Sequence, residues 1–364
     1  MAFNEREICT LSVDGQLYTQ WKSITVYLCQ KQAFNYYRFT CSEFTPFARS
    51  FAAQQIRPGS KCSVVLGGEL AIEGFVVTRQ VAFTEKSHGV EITGKSSTYA
   101  TVNGAAVVKG GELTDVTFPE AANKLLQPYS LTCTPKPGIN MEKFPRVNVT
   151  EQTCWEVIEK LARQRSIVLG VNPYKGSDFW ATPAGYQEGD GEVIEGVNML
   201  EGRETISMEL GSGSALTLGQ QAPTPQKWGP VVTSSPLGNQ ASGFASSMGF
   251  DAGPFMPLIG MAEMPAAQGE AAQRSGAEGT AVSGEQIKVE AVLQGWFNGG
   301  GPKGGRTRGK LWRPWNSVFV KSPMLIMNET LICKSVTFTQ DDKSGTRTTL
   351  ELENELGQKG PSFK

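Results

Sequence analysis

Histidine is almost absent from this chain, since His88 is the only one among 364 residues. Metal sites built from several imidazoles are therefore excluded. A catalytic histidine also needs an orienting partner and a sheltered pocket. His88 lies in a polar turn of a predicted hairpin, which offers neither, so we expect it to be a plain surface residue.

Long hydrophobic runs are also missing. No apolar stretch approaches the roughly 20 residues that span a bilayer, and Met1–Glu7 lacks the layout of a signal peptide. We expect a protein with no membrane span that is made and folded in a cytoplasm. Neither sign of charge dominates: 34 Lys and Arg stand against 35 Asp and Glu. This balance argues against a strongly basic nucleic-acid or membrane-surface binder.

Paired cysteines are absent. The seven cysteines are odd in number and scattered, with no C-x-x-C spacing, which argues against a disulfide framework or a zinc site. Most of them fall within apolar strand or helix patterns, where a reduced cysteine behaves as a small hydrophobic residue. We expect buried thiols at Cys9, Cys29, Cys41, Cys62, Cys133, Cys154 and Cys333.

Motifs for phosphate binding or nucleophilic catalysis do not occur. The glycine-rich stretches at Gly211 and Gly299 fit neither the dinucleotide fingerprint nor the P-loop, and no G-x-S-x-G is found. We interpret both stretches as turns. No window singles out a pair of carboxylates, although a glycosidase-type pair stays open. We therefore assign no catalytic, cofactor-binding or metal-binding residues and expect no cofactor.

Trp312 and Trp315 form the one aromatic group that invites a binding hypothesis. Indole rings stack on sugars and bases, but they more often pack at interfaces or cap a barrel. We favour packing, and keep a carbohydrate-binding module as an alternative.

The most informative feature present is a repeat. Leu70–Arg79, a polar turn and Val90–Gly94 are echoed by Leu331–Gln340, a polar turn and a second strand from Thr348. Both units alternate with the period of a strand, which predicts two β-hairpins. If each chain carries two copies of one β module, an assembly of such chains around an axis presents twice as many equivalent modules as it has subunits. This arrangement suits a ring-shaped assembly.

Between the repeats the pattern changes. Thr117–Glu120 predicts a capping box at the start of a short helix, and a second helix is predicted from about Thr150 to Arg165. A strand at Ile167–Val171 completes a small α/β module. The segment from Gln221 to Gly284 is rich in Gly, Ala, Pro and Ser, and this composition predicts a long loop or flexible arm.

Taken in order, these motifs resemble the central hub proteins of contractile phage baseplates, of the type found in phage Mu. The resemblance covers nearly the whole chain outside 221–284. It rests on Val90–Thr98, the helix from Thr117, Phe144–Val147, the Thr150 helix, Asn198–Leu200, Leu218–Gln220, Leu311–Asn316 and the last hairpin with Gly345–Leu350. The family usually has Gly where Ser166 stands and Arg where Lys95 stands.

The resemblance implies a homotrimer on the tail axis, in which two tube-like β-barrel domains per chain make a pseudo-sixfold ring. Such a ring joins the sixfold tail tube to the threefold central spike and lines the DNA channel. The implied partners are the spike protein, a tail tube or tube-initiator protein, and other baseplate proteins, with passive passage of DNA. The implied location is the virion tail baseplate.

We therefore expect an α+β, mainly β fold with two tube-like β-barrel domains flanking a small α/β domain. The expected limits are 1–94 for the first barrel, 95–199 for the α/β domain, 200–220 plus 285–364 for the second barrel, and 221–284 for the insertion. The function is expected to be structural. The alternatives are the spike hub of a type VI secretion system or tailocin, and a cell-wall hydrolase on a tail tip.

Overall fold

The fold is mainly β, with few helices. The computed structural model describes residues 7–42, 56–84, 88–149, 152–206, 214–220, 231–236, 257–265, 287–298 and 309–354. Within these residues, none of the helices has the length and apolar character needed to cross a bilayer.

The described elements fall into three groups along the chain. The first β module has β1 (Cys9–Val13), β2 (Gln16–Tyr18), β3 (Ser23–Cys29), β4 (Tyr36–Cys41), β5 (Lys61–Leu66), β6 (Glu69–Phe83) and β7 (His88–Ser96). The α/β domain has α1 (Ala100–Asn103), β8 (Glu112–Val116), α2 (Phe118–Leu126), β9 (Cys133–Pro135), β10 (Phe144–Asn148), α3 (Cys154–Gln164), β11 (Ile167–Val171) and β12 (Phe179–Pro183).

The third group forms the second β module and its insertion. It has β13 (Asp190–Ile194), β14 (Met199–Ile206), β15 (Ser214–Gln220), β16 (Val231–Pro236), β17 (Pro257–Pro265), β18 (Ile287–Gln294), β19 (Ser317–Ser322), β20 (Met327–Asp341) and β21 (Gly345–Asn354).

The two β modules share one strand order. In the first, the antiparallel neighbours run β3-β4-β7-β6-β5, and in the second they run β14-β18-β21-β20-β19. The predicted hairpin, β6-β7 in the first module and β20-β21 in the second, occupies the third and fourth positions of each order. A sixth strand differs, because β1 lies antiparallel to β5 whereas β13 lies parallel to β19. The repeat read from the sequence is thus a repeat of topology.

The modules are joined edge to edge. The outer part of β20, Ser335–Asp341, pairs antiparallel with β3, so that Val26 lies opposite Phe338. We call this junction the seam. It makes one sheet of 13 described strands, with a hydrophobic core that runs through both modules.

The expected closed barrels are not observed among the described strands. Their hydrogen-bonded path runs from β2 at one end to β14 at the other and does not return on itself. The physical reason lies in the seam: the edge of β3 that a closed first barrel would use is occupied by β20. The limits at 94 and 199 stay predictions, although pairing with β19 ties Asp190–Ile194 to the second module.

The α/β domain has its own hydrophobic core, in which α2 and α3 pack against β9–β12. The capping box of α2 is confirmed, since the Thr117 backbone N–H donates to Glu120 Oε2 at 2.8 Å. Helix α3 begins at Cys154, and Thr153 caps it by accepting from the Glu156 N–H at 3.3 Å. The predicted start near Thr150 is therefore wrong, and Thr150 itself lies outside the described residues.

The small sheet β16-β15-β17 belongs to the stretch after β14. Strands β16 and β17 fall inside 221–284, which the sequence predicts as a flexible insertion, and the rest of that stretch lies outside the described residues. All seven cysteines are buried thiols, as predicted.

Ser166 directly follows the cap of α3 and has a φ of 54°. This left-handed conformation is the one that glycine normally supplies after a helix. For residues with a Cβ this conformation costs about 1–2 kcal/mol. Replacing serine by glycine removes that cost but also makes the unfolded chain more flexible, which offsets about 0.5–1 kcal/mol of the gain.

We therefore expect Ser166→Gly to raise the unfolding free energy of the α/β domain by about 0.5–1 kcal/mol, measured by urea denaturation. Ser166→Ala is the matched control, because it removes the buried hydroxyl and keeps the Cβ. An equal gain from both variants would show that the hydroxyl, and not the backbone, is the source of the strain.

Candidate functional site: the junctions between the modules

The described residues hold no group of three or more His, Cys, Asp and Glu side chains close enough to bind a metal ion. His88 lies at the start of β7, where its ring stacks on Phe83 with centroids 6.2 Å apart. This position is half-exposed on a hairpin, as expected. The features that stand out are instead the junctions that hold the modules together and the strand edges that have no ladder partner among the described strands.

The tryptophans of the 311–316 segment are buried, with Trp312 2% and Trp315 0% exposed. Trp312 covers Gly191, where a Cβ would lie 2.3 Å from the ring. Trp315 packs on Trp180, with ring centroids 5.7 Å apart. Neither indole has a face available to a sugar, so the carbohydrate-binding alternative built on them is wrong. The preferred hypothesis of packing is confirmed.

Arg313 lies between these two tryptophans and joins all three parts of the protein. Its guanidinium donates to the Pro173 carbonyl of the α/β domain, and to the Leu70 carbonyl at 3.0 Å in the first module. It also pairs with Glu69 at 3.3 Å and lies 4.9 Å from the ring centre of Tyr174. The fork of a guanidinium suits such a junction because its N–H groups point in several fixed directions at once.

Burial lowers the pKa of Arg313, and the nearby carboxylate of Glu69 opposes that shift. An arginine keeps its charge at neutral pH despite such a shift, since its ordinary value lies above 12. A buried charge of this kind is tolerated only where partners satisfy it. Arg313 therefore makes the three-part arrangement specific: if one part moved away, this charge would lose an acceptor.

The seam is extended by a buried glutamine. Gln30 follows β3 and is 0% exposed. Its backbone N–H donates to the Lys334 carbonyl at 2.9 Å, and its side-chain amide donates to the Cys333 carbonyl at 3.1 Å. Lys334 is the bulged residue of β20, between the pairs formed by Cys333 and Ser335. The glutamine thus supplies a hydrogen bond at the point where the regular ladder of β20 is interrupted.

A buried carboxylate also crosses the seam. Glu353, at the end of β21, is 2% exposed and pairs with Lys31 at 3.2 Å and with Lys334 at 3.3 Å. Lys31 belongs to the first module, whereas Lys334 and Glu353 belong to the second. Two cations on one buried anion offset its desolvation better than one. The seam is therefore a specific contact between the modules as well as a pairing of strands.

Two strand edges carry exposed apolar side chains. Along the outer part of β6, Val81 is 49% exposed and Phe83 is 77% exposed. Along and near β14, Leu200, Met324 and Ile326 are exposed. Open strand edges with apolar residues are typical surfaces for pairing with another chain.

Sequence reasoning identified the 311–316 segment through its resemblance but missed Arg313 as the residue that joins the parts. It also missed Gln30, Lys31 and Glu353. No local signal marks these residues, because the partners that they reach in other parts of the protein lie 140 to 322 positions away along the chain.

Comparisons with known proteins agree with the resemblance. Residues 8–96 match the family described as Mu phage baseplate assembly protein GpP-like, N-terminal. The baseplate hub protein gp44 of Escherichia phage Mu is 22% identical over 353 residues, which cover 94% of this chain and 86% of that protein. The predicted resemblance to the Mu hub family is therefore confirmed.

Solved structures show the same fold. The crystal structure of the 43 kDa tail protein of prophage MuSo2 from Shewanella oneidensis has a TM-score of 0.79 at 20% identity, covering 98% of this chain and 100% of that one. The E. coli c3393 protein, a component of the type VI secretion system with structural similarity to the T4 tail proteins gp27 and gp5, has a TM-score of 0.59 at 9% identity. That match covers 97% of this chain and 79% of that one.

We expect Arg313→Ala to lower the unfolding free energy by about 2–4 kcal/mol, because it leaves buried acceptors without their donor. Thermal unfolding followed by circular dichroism measures the effect. Arg313→Lys should recover only part of it, since an ammonium lacks the planar fork. Arg38→Ala is the control: Arg38 pairs with Glu91 at 2.6 Å on the surface, and its loss should leave the midpoint nearly unchanged. Similar midpoints for Arg313→Ala and Arg38→Ala would contradict the role given to Arg313.

Proposed function

We propose that this protein is the structural baseplate hub of a contractile phage tail or of a phage-derived tail. The observation that carries the proposal is the doubled strand order, β3-β4-β7-β6-β5 and β14-β18-β21-β20-β19, in a chain similar over 94% of its length to a baseplate hub protein. Two equivalent modules in each chain let three copies present six modules around one axis.

A hub with this arrangement resolves a mismatch of symmetry. Its six β modules form one ring-shaped wall that offers a pseudo-sixfold face to the tail tube or to a tube-initiator protein. Its three chains offer a threefold face to the central spike. Closed-ring assemblies with rotational symmetry are the usual solution for soluble oligomers, and obligate interfaces of this kind bury more than about 2,000 Å².

The role is structural rather than enzymatic, and needs no cofactor. DNA passes through the ring without being bound, which suits a chain with a formal net charge of -1, because tight binding of DNA needs many cationic contacts with phosphates. The hub is assembled in the host cytoplasm and remains in the virion baseplate together with other baseplate proteins.

A second candidate is the spike hub of a type VI secretion system or a tailocin. The fold similarity to the E. coli c3393 protein favours it. The two candidates share the ring and differ in the machine that it serves. A capsid gene in the same gene cluster would favour the phage, and its absence would favour the other machines.

We expect the purified full chain, at micromolar concentration, to have three times the mass of one chain by light scattering. The same preparation should clear no peptidoglycan in a zymogram. A monodisperse monomer that stays monomeric when the spike protein is added would contradict the hub. Clearing that is lost when a single carboxylate is changed would instead support the cell-wall hydrolase.

A further inference from the structure

Each of the two strand edges that form the seam has an equivalent edge in the other β module. The outer part of β6, Thr78–Phe83, is the equivalent of Ser335–Gln340 in β20, and among the described strands only β7 pairs with it. Strand β14 is the equivalent of β3, and β18 is its only ladder partner in the described part of the chain. Within the described part of the chain, each of these two edges therefore has the form of one half of a seam.

We propose that residues 78–83 of β6 pair with β14 of the neighbouring copy, antiparallel and in the register of the internal seam. This inference rests on the proposed trimeric hub, and it adds which strands meet and which residues face each other. Each copy would offer one edge to the next copy and the other edge to the previous one, so that three such contacts close a ring.

The register on the β6 side follows from matching bulges. In β6 the ladder to β7 shifts between Val76 and Thr78, and in β20 the ladder to β21 shifts between Cys333 and Ser335. Thr78 thus corresponds to Ser335. Counting three residues further, Val81 corresponds to Phe338.

The register on the β14 side follows from the strands behind the bulges. Gly94 pairs with Val76 and with Tyr37, while Leu352 pairs with Cys333 and with Val289. Tyr37 therefore corresponds to Val289, and their neighbours Val26 and Glu204 also correspond. Because Val26 faces Phe338 in the seam, Glu204 should face Val81.

The remaining expected pairs are Gln80 with Thr205, Ala82 with Arg203, Phe83 with Gly202, and Arg79 with Ile206.

The pair of Phe83 and Gly202 fits this register. Phe83 is 77% exposed, although its equivalent position in the second module is covered by β3. Gly202 has no side chain, and Met199 and Leu325 lie beside it: a Cβ there would be 2.8 Å from Met199 Sδ and 3.2 Å from Leu325 Cδ1. Because Met199 and Leu325 already fill the space over Gly202, the Phe83 ring would pack against these two side chains and not on the glycine itself. A methionine sulfur is a favourable neighbour for an aromatic ring.

Charges also match in this register. Arg79 pairs with buried Ile92, and Glu204 pairs with buried Val289, so both charged residues belong to the core-facing side of their strands. In the proposed pairing they are diagonal neighbours on one face, which long side chains can bridge. Burial already raises the pKa of Glu204, and a cation brought by the next copy would offset the further loss of water.

Cysteine cross-linking of the full chain tests the register. Gln80 and Thr205 are exposed and face each other in the proposed pairing. We expect Gln80→Cys/Thr205→Cys, oxidised with copper phenanthroline or joined by a short bifunctional thiol reagent, to give mainly a covalent trimer on a denaturing gel. The native thiols should stay silent because they are buried, and burial raises the pKa of Cys62 to about 11 and of Cys133 to about 12.

The matched control is Val81→Cys/Thr205→Cys, which places the two thiols on opposite faces, keeps Arg79 and Glu204, and should give little product. If light scattering shows a trimer but the control variant cross-links as well as the test variant or better, the proposed register is wrong. That result would not contradict the proposed hub. Unmodified protein that stays monomeric even when the spike protein is added would overturn the hub itself.

Charge exchange gives a second test that needs no added cysteine. Arg79→Glu alone should raise the concentration at which the trimer dissociates by about tenfold or more. Adding Glu204→Arg should restore it. If the double variant dissociates as readily as the single one, with both folded by circular dichroism, the proposed pairing is wrong.

Discussion

The structure depends on the pairing of β3 with β20, a contact between the two ends of the chain. Without it the protein would be two small β modules connected through an α/β domain. With it, one sheet and one hydrophobic core run through both modules. Gln30 and Glu353 add buried polar contacts that only this register satisfies. Buried polar groups are costly when a partner is lost, so they penalise any slipped register of the seam.

The same contact explains why a doubled chain suits a ring. The pairing of β20 with β3 inside the chain shows that a strand edge of one module can pair with a strand edge of the other. Among the described strands, the outer edge of β6 and one edge of β14 have no ladder partner. Open edges invite aggregation unless they are covered, and closure into the proposed ring would cover both edges in every copy. In this view the three-part junction at Arg313 keeps the α/β domain in place while the β modules form the wall.

Local features could be predicted from the sequence. The two hairpins follow from alternation, and the α2 cap follows from Thr117 and Glu120, because all of these interactions span a few residues. The start of α3 was missed since Thr150 and Thr153 carry the same signal. The seam could not be found, because Val26 and Phe338 are far apart in the sequence and either would suit any buried strand. The burial of Trp312 and Trp315 depends on glycines at positions 191 and 170, which offer no pattern by themselves.

We propose that three copies of the doubled module imitate sixfold symmetry. Electron microscopy of the assembled protein, viewed down its axis, tests this proposal most directly. We predict a ring of six similar wall segments about 60° apart, with the α/β domains repeating every 120°. A ring with three wall segments, or with six that do not superpose after rotation by about 60°, would contradict it.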